Sequence, residues 1–426
     1  HEKSYQLVTV CLALLASGLA GLWSANPFTT IVCWTFYDLV FALGRMVAGE
    51  RIEDAAWSLA LGTGSGLLLW VGVLVAEGGI GSVQWSLMPP GGTKMTCWVL
   101  AGFVRLGAYP LHLWMPRTVG SSSALVGILS LSPVLGWGLW IRLGLISGST
   151  LPVAPWMVIS SLLTLAAGGM LAWTASSPLE SRPWISMGMN GAVLLATVLA
   201  SLGGGVRGGA EAVLNLMTLG SVGWMVGTAA LFLGRGLDLD RISQWKVLAR
   251  GVPSFIAALS LIGAPATAGF AAQSLLMRIV IESGRWGWCV VFLLGQACLV
   301  ASVLRWMLFS ENVEREDRDL PGEIANGVGL MTLSVLLIGI GVLPSLLLGD
   351  SVSSSISSLQ SLLTTPNLAG WLLWGGSLLL GGVLAWGDAR LRPRVSLWLN
   401  VVHDVLLLDW GYGLLMGAFE RGFGIL

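Results

Sequence analysis

Apolar stretches of about twenty residues, separated by short polar or glycine-rich segments, follow one another along almost the whole chain. A helix needs roughly 20 apolar residues to cross a hydrocarbon layer about 30 Å thick, and it satisfies its own backbone hydrogen bonds there. The pattern predicts an all-α, polytopic bundle of about twelve membrane-spanning helices, at residues 5–24, 27–45, 56–77, 95–112, 123–146, 155–175, 184–203, 210–234, 253–282, 286–309, 327–348 and 367–387.

The last segment of the chain has a different pattern. Residues 397–424 carry several charged residues among leucine, valine and tryptophan. This mixture predicts an amphipathic helix that lies partly along the membrane interface or packs on partner helices. We therefore expect a transmembrane bundle at 1–396 and a C-terminal amphipathic or lateral helix at 397–426.

Composition excludes several classes of protein. The chain is 55% hydrophobic and 10% charged, whereas about a quarter of an ordinary soluble domain is charged, so the lipid bilayer is an expected partner. The 22 basic and 22 acidic residues cancel, which gives no indication of a nucleic-acid partner. The five cysteines and three histidines are scattered, so we predict no metal site and no cofactor in this chain.

Basic residues orient the predicted helices. Lys and Arg concentrate on the cytoplasmic side of membrane proteins. Here they concentrate in the segments after even-numbered spans, for example at Arg45 and Arg117, whereas the opposite side has only Lys94, Arg207 and Arg285. The bias predicts both ends of the chain on the cytoplasmic side.

Two spans contain proline and glycine where a regular helix is expected to fail. The first has Pro110 and Pro116 at the end of the fourth span, and the second has Pro265 and Gly269 inside the ninth. Proline removes a donor and leaves a carbonyl without its helical partner. Irregular backbone at membrane depth is tolerated only inside protein or beside a water-filled cavity, and paired interruptions are typical of transporters. The alternative is that each proline only kinks its helix.

Two ionisable residues, Asp38 and Arg105, lie within predicted spans. A charge at the membrane centre costs at least about 2.5–3.5 kcal/mol, so such residues are functional candidates. A pair between these two would lower the cost of burying both. His112, next to a proline, is either a helix-end hydrogen bonder or a proton carrier. Ionisable residues near span ends are expected to reach the interface: Glu77, Glu211, Arg142, Arg278, Glu282 and Arg305.

Several motifs resemble a known family. Residues 104–116 (VRLGAYPLHLWMP) resemble the V-K-x-P-x-x-P-L-H-x-W-L-P signature of the antiporter-like subunits of respiratory complex I, Mrp antiporters and membrane-bound hydrogenases. Residues 259–273 (LSLIGAPATAGFAAQ) are similar to the family's S-L-x-G-x-P-x-x-x-G-F-x-x-K/E segment. Residues 18–34 look like the helix pair that leads into the family's W-E motif.

The resemblance implies two inverted five-helix repeats, each with one broken helix, and a polar axis of Lys, Glu and His at the membrane midplane that moves protons. It also implies a bacterial inner membrane or another energy-transducing membrane, with other membrane subunits as partners. The first helix here would correspond to the family's fourth, so we expect the bundle to lack the family's first three helices.

The chain departs from the family at most of the proton-carrying positions. The family's glutamate falls on Thr35, with Asp38 one turn further on, and its lysines fall on Arg105 and Val134. Lysine can be neutralised by desolvation and pass a proton on, whereas arginine stays charged. Polar residues at other family positions could instead line a wet path, or act only as packing contacts between helices, worth about 0.6 kcal/mol each. The candidate ion path comprises Asp38, Arg105, His112, Asn190, Thr218 and Gln273.

Three functions remain open. The leading interpretation is a membrane-arm subunit of a complex I-like, ion-translocating assembly whose own proton channel is largely lost, so that its role is mainly structural. The second is active translocation of protons or cations, gated by an Asp38–Arg105 ion pair. The third is a membrane partner for uptake of an inorganic ion such as bicarbonate or sodium. In a proton-translocating oxidoreductase of the NADH- or ferredoxin-quinone type, the redox chemistry would belong to other subunits.

Overall fold

The computed structural model describes the chain at residues 2–47, 49–75, 84–85, 92–115, 132–147, 151–177, 180–203, 209–233, 245–308, 320–348, 363–364 and 367–423. The regular secondary structure of these residues is helical. The helices are α1 (Glu2–Trp23), α2 (Pro27–Val47), α3 (Ile52–Leu74), α4 (Gly92–Arg105), α5 (Pro133–Ser147), α6 (Trp156–Thr174), α7 (Arg182–Gly203), α8 (Gly209–Leu233), α9 (Trp245–Leu261), α10 (Ala268–Glu282), α11 (Trp286–Leu308), α12 (Leu320–Val342), α13 (Ser345–Leu348), α14 (Leu368–Leu407) and α15 (Asp409–Phe423).

The predicted polytopic membrane bundle is confirmed. Within the described ranges, eight helices are long and apolar enough to cross a membrane: α1, α2, α3, α6, α7, α8, α11 and the first half of α14. Shorter apolar helices occur in α5, α9, α12 and the second half of α14. The number of long helices is below the predicted twelve partly because the fourth and ninth spans are interrupted, which leaves pieces of 14 to 17 residues.

Helix α7 forms the centre of the bundle. Of its membrane window, 89% is buried, against 17% for α1. It packs against α6, α8, α10 and α11, while α2 packs between α1 and α3, and α5 joins α4 to α8. A helix that is apolar all round must be covered by protein or by lipid. We therefore assign the outward apolar face of α1 to lipid or to a neighbouring membrane subunit.

The C-terminal region differs from the prediction. Helix α14 runs for 40 residues without interruption, so no separate helix begins at residue 397. It ends at Leu408, whose backbone is left-handed with φ of 60°, and α15 follows directly. The expected boundary is wrong because the amphipathic pattern after residue 396 continues the helix rather than starting one. A 40-residue helix is about 60 Å long, roughly twice the thickness of the hydrocarbon layer.

Two arginines and an aspartate fasten α14 to the C-terminal end of α6. Arg305 donates to the carbonyl of Ala175 (2.7 Å), and Arg392 donates to those of Trp173 (2.6 Å) and Ala175 (3.0 Å). Asp388 lies between the two guanidinium groups, 3.5 Å from Arg305 and 3.1 Å from Arg392. Cations at a helix C-terminus satisfy its last carbonyls and its dipole. For that reason Arg305 is buried against protein although it lies in the last turn of α11, and the expectation that it reaches the interface stays a prediction.

Helix α15 contacts the first interrupted helix. The hydroxyl of Tyr412 donates to the carbonyl of Pro110 (3.0 Å), and its ring packs on Trp57 with 5.5 Å between centroids. A tyrosine hydroxyl is protonated at neutral pH and able to donate, and burial raises the pKa of the Tyr412 hydroxyl further. The C-terminal part of the chain thus supplies a donor to one of the carbonyls that the proline interruption leaves without a helical partner.

Candidate functional site

The first interruption follows α4 and packs against α6. Helix α4 ends at Arg105, and residues 106–115 are not helical. The backbone N–H of Tyr109 donates to the hydroxyl of Thr164 (2.8 Å), and the hydroxyl of Ser160 donates to the carbonyl of Tyr109. Two hydroxyls of α6 thereby replace missing helical partners, as buried irregular backbone requires. Pro110 follows Tyr109 within this segment, whereas the predicted break residue Pro116 lies outside the described residues.

His112 lies inside the interruption and is fully buried. Its Nδ1 is 3.1 Å from the carbonyl of Pro110, and its ring stacks on Tyr109 at 5.1 Å and meets Trp184 edge-on at 6.0 Å. A proton on Nδ1 would make this the helix-end hydrogen bond that the sequence suggests. Its part in an ion path stays a prediction.

Asp38 and Arg105 meet where α4 ends. The two side chains form a bidentate pair, in which Nη1 of Arg105 donates to Oδ1 of Asp38 and Nη2 donates to Oδ2 at 2.6 Å. Asp38 is 5% exposed and Arg105 is 6% exposed. A paired fork of this geometry is the strongest arrangement available to an arginine and a carboxylate. The structure therefore brings together the two charges that the sequence places inside spans.

Residues of α2 and α3 fix the position of the ion pair. Nε of Arg105 donates to the hydroxyl of Ser65 on α3 (3.0 Å), and its Cζ lies 4.6 Å from the ring centroid of Trp34 on α2. Gly62 of α3 makes room for the carboxylate, because a Cβ there would lie 2.5 Å from Cγ of Asp38. Thr35, where the family's glutamate falls, is on the exposed face of α2. Asp38, one turn further on, is on the face that meets Arg105.

A cavity of about 10 Å³ borders the ion pair, which is room for about one water molecule. The hydroxyl of Ser132 is buried there without a hydrogen-bond partner in the described part of the chain. Together with the Asp38 carboxylate it gives the cavity the polar partners that a water molecule needs. The lining residues are Tyr37, Asp38, Phe41, Ser58, Leu61, Gly62, Val104, Arg105, Trp114 and Ser132.

A second buried ion pair was not predicted from the sequence. Arg45, at the end of α2, is fully buried, pairs with Glu50, and donates to the carbonyl of Trp114 (2.8 Å). Its position at a span end indicates an interfacial cation. The sequence contains one indication of this pair: Glu50 lies five positions after Arg45, which is close enough for the two to pair locally.

The second interruption lies between α9 and α10. Gly263 and Ala266 have positive φ of 77° and 66°, and Thr267 caps α10 by accepting from the N–H of Phe270. Pro265 is exposed in this turn. Gly269, predicted as a break residue, is instead the second residue of α10, where its N–H donates to the Ser260 hydroxyl (3.0 Å).

The remaining path candidates lie apart from the ion pair. Gln273 is buried in α10, and Thr218 is half-buried in α8. Asn190 of α7 accepts from the indole of Trp137 (3.1 Å), while its amide nitrogen is buried without a partner in the described ranges. No hydrogen bond in those ranges connects these three side chains to the Asp38–Arg105 pair. Glu77, predicted to lie near a span end, is outside the described residues.

Comparisons with known proteins support the family that the motifs resemble. No family model matches the chain. The chain is 27% identical, over 372 residues, to the NADH-quinone oxidoreductase subunit N of Thiobacillus denitrificans, an alignment covering 78% of this chain and 75% of that protein. This likeness in sequence and the likeness in fold to two solved structures support the antiporter-like membrane subunit family. The motifs at the two interruptions resemble the same family.

Two solved structures share the fold of this chain. A chain of the Mrp complex from Dietzia sp. matches with a TM-score of 0.75 at 16% identity, over 100% of this chain and 49% of that chain. A chain of respiratory complex I from Thermus thermophilus matches with a TM-score of 0.59 at 18% identity, over 80% of this chain and 79% of that chain. The chain thus spans about half the length of that Mrp chain.

Proposed function

We propose that this chain is a membrane-arm subunit of a complex I-like, ion-translocating assembly, and that the Asp38–Arg105 ion pair controls ion passage through it. The observation that carries the proposal is the buried bidentate pair at the end of an interrupted helix, beside a cavity with room for about one water molecule. Charged residues at membrane depth are retained where they act on an ion path, and interrupted helices are where such paths form.

The chemistry of the pair is asymmetric. A carboxylate oxygen of Asp38 can accept a proton, whereas Arg105 stays charged and cannot donate one away. Protonation of Asp38 would remove the negative charge that compensates Arg105 and leave the guanidinium with neutral partners only, namely the Asp38 carbonyl oxygen, Ser65 and the Trp34 ring. An uncompensated buried charge costs about 3–5 kcal/mol. The pair therefore has one stable closed state, and it opens only when another charge compensates for the loss.

The uncharged polar residues of the candidate ion path favour ion movement along water rather than proton relay by side chains. Thr218, Asn190 and Gln273 do not change protonation near neutral pH. Amide and hydroxyl groups can still hold water between helices. Protons or cations would then move along water, under the electrostatic control of the Asp38–Arg105 pair.

A second candidate function is structural. It is favoured by the three hydrogen bonds of Arg105, in which Nε, Nη1 and Nη2 each donate to a neighbouring side chain. A pair held by these bonds can fix the position of a broken helix without ever opening. Under this function the chain holds neighbouring subunits together, and ions pass elsewhere in the assembly.

We further propose a bacterial inner or other energy-transducing membrane, with both ends of the chain on the cytoplasmic side. Supporting this orientation, Arg45 at the end of α2 and the Arg305–Arg392 group at the end of α6 belong to the same end of the bundle if successive helices cross the bilayer in alternating directions. An excess of arginine at one end is typical of the cytoplasmic side.

Ion flux in Asp38→Asn tests the proposed function. The assembled complex is reconstituted into liposomes, and proton flux is followed by the collapse of an imposed pH gradient. Asp38→Asn is expected to lower the flux per assembled complex at least about tenfold, because the carboxylate that holds Arg105 is lost. The matched control is Asp54→Asn, which removes a carboxylate from a partly exposed pair with Arg51 and should leave the flux unchanged.

The same liposomes distinguish the alternatives. Full proton flux in Asp38→Asn would contradict control by the ion pair and favour the structural function. Uptake of radioactive sodium or bicarbonate that depends on Asp38, without proton flux, would contradict proton passage and support the alternative function in inorganic-ion uptake.

A further inference from the structure

Two buried ion pairs lie along one face of α2, with aromatic rings between them. Asp38, Phe41 and Arg45 are spaced i, i+3 and i+7, which places them on the same face of a helix, and all three are buried. Asp38 pairs with Arg105, and Arg45 pairs with Glu50. Seven residues at 1.5 Å per residue separate the two levels by about 10 Å.

The space between the two levels is filled by Phe41 and Trp114, which we call the aromatic layer. The two ring centroids are 6.2 Å apart, with an angle of 66° between the planes. Both residues also line the cavity at the inner pair. The layer is therefore the outer wall of that cavity on the side of Arg45.

Trp114 is held by a hydrogen bond at each level. Its indole Nε1 donates to the carbonyl of Val104 (3.1 Å), next to Arg105, and its backbone carbonyl accepts from Nη1 of Arg45 (2.8 Å). Residues 106–115 are not helical, so no helical ladder fixes the carbonyl of Trp114. Arg45 holds this carbonyl instead, and Glu50 neutralises the buried charge of Arg45.

We propose that the aromatic layer is the cytoplasmic barrier to water and cations above the Asp38 cavity, and that Arg45 is a positioning residue that keeps it closed by holding the backbone of Trp114. An apolar constriction between polar chambers blocks ions because water leaves it. If residues 106–115 moved by about the width of one aromatic ring, the cavity beside Asp38 would connect to the space beside Arg45. The inference rests on the proposed function, since a barrier matters only if ions reach Asp38.

A thiol placed in the cavity tests the barrier without measuring transport. Ser58 is buried on α3 and lines the cavity, so Ser58→Cys adds a probe of nearly the same size. A charged, membrane-impermeant methanethiosulfonate reagent is added from the cytoplasmic side to the assembled complex in inside-out vesicles. Labelling of each cysteine is measured by mass spectrometry, with the buried Cys298 as internal reference.

We expect the introduced thiol to stay unlabelled in the Ser58→Cys background. Adding Trp114→Ala should raise its labelling rate at least about tenfold, because the constriction is removed. Trp114→Phe keeps a ring in the layer and should remain closed, although it loses the indole hydrogen bond. Glu50→Gln should raise labelling to an intermediate rate, because the hold of Arg45 on the Trp114 carbonyl is weakened.

Two results would overturn the inference. One is rapid labelling without any change in the layer; the other is no labelling in an assembled Trp114→Ala complex. If Trp114→Ala does not assemble, Phe41→Ala opens the same layer from α2 and is judged by the same criterion. Labelling reports access and not ion flux, so failure of the barrier leaves the Asp38→Asn result intact. Likewise, unchanged ion flux in Asp38→Asn leaves the labelling result intact.

Discussion

Asp38→Asn is expected to lower the free energy of unfolding by about 3–5 kcal/mol, and Arg105→Leu by a similar amount, because each leaves one charge buried without its partner. The double variant should recover most of this loss, since two uncharged side chains need no mutual compensation. A double-mutant cycle on the purified protein, measured by denaturant titration, gives the coupling between the two side chains. We expect it to exceed about 2 kcal/mol.

The Arg51–Asp54 pair is the matched control for this cycle. It joins the same two residue types at 3.1 Å, but the Arg51 side chain is 71% exposed. Exposed pairs contribute only about 0.2–1 kcal/mol because water and salt screen them. Equal coupling energies at the two sites would mean that Asp38 and Arg105 are not buried together.

Gly269→Ala is expected to destabilise the fold by about 3 kcal/mol or to prevent folding. A Cβ at this position would overlap the carbonyl oxygen of Ser260. The oxygen is a backbone atom at the end of α9 and the Cβ is fixed by the backbone at the start of α10, so neither can turn aside as the end of a flexible side chain would. The measurement is the midpoint of thermal unfolding of the purified complex.

Gly287→Ala is the control substitution. Gly287 lies in α11, and a Cβ there meets no atom within 4 Å. Alanine in a helix is favoured over glycine by about 0.5–1 kcal/mol, so this variant should be as stable as the wild type or slightly more stable. If both variants lower the midpoint equally, glycine at 269 is not required by close packing of the second interruption.

The features predicted correctly from the sequence are those with a local signal. The prolines at positions 110 and 265 indicate interruptions because each affects its own helix directly. Asp38 and Arg105 are conspicuous because a charge in an apolar span is costly alone. The high hydrophobic content likewise fixes the class of protein.

The features that were missed depend on contacts between distant parts of the chain. The Tyr412 hydroxyl bonds to Pro110 across 302 positions, and nothing near either residue indicates the other. In the sequence, Arg305 has the pattern of an interfacial cation, and its hydrogen-bond acceptors at the end of α6 become apparent only in the folded structure. Arg45 is similar, because the carbonyl it holds belongs to the interrupted segment. Such acceptors exist only after the helices have packed.

The most direct test of control by the ion pair is proton flux in the charge-neutral double variant Asp38→Asn/Arg105→Leu. It removes both charges while avoiding an uncompensated one, so the subunit should assemble normally. The assembled complex is reconstituted and compared with wild type for collapse of an imposed pH gradient. We predict normal assembly with flux reduced at least about tenfold; normal assembly with wild-type flux would contradict the role of the pair in ion passage.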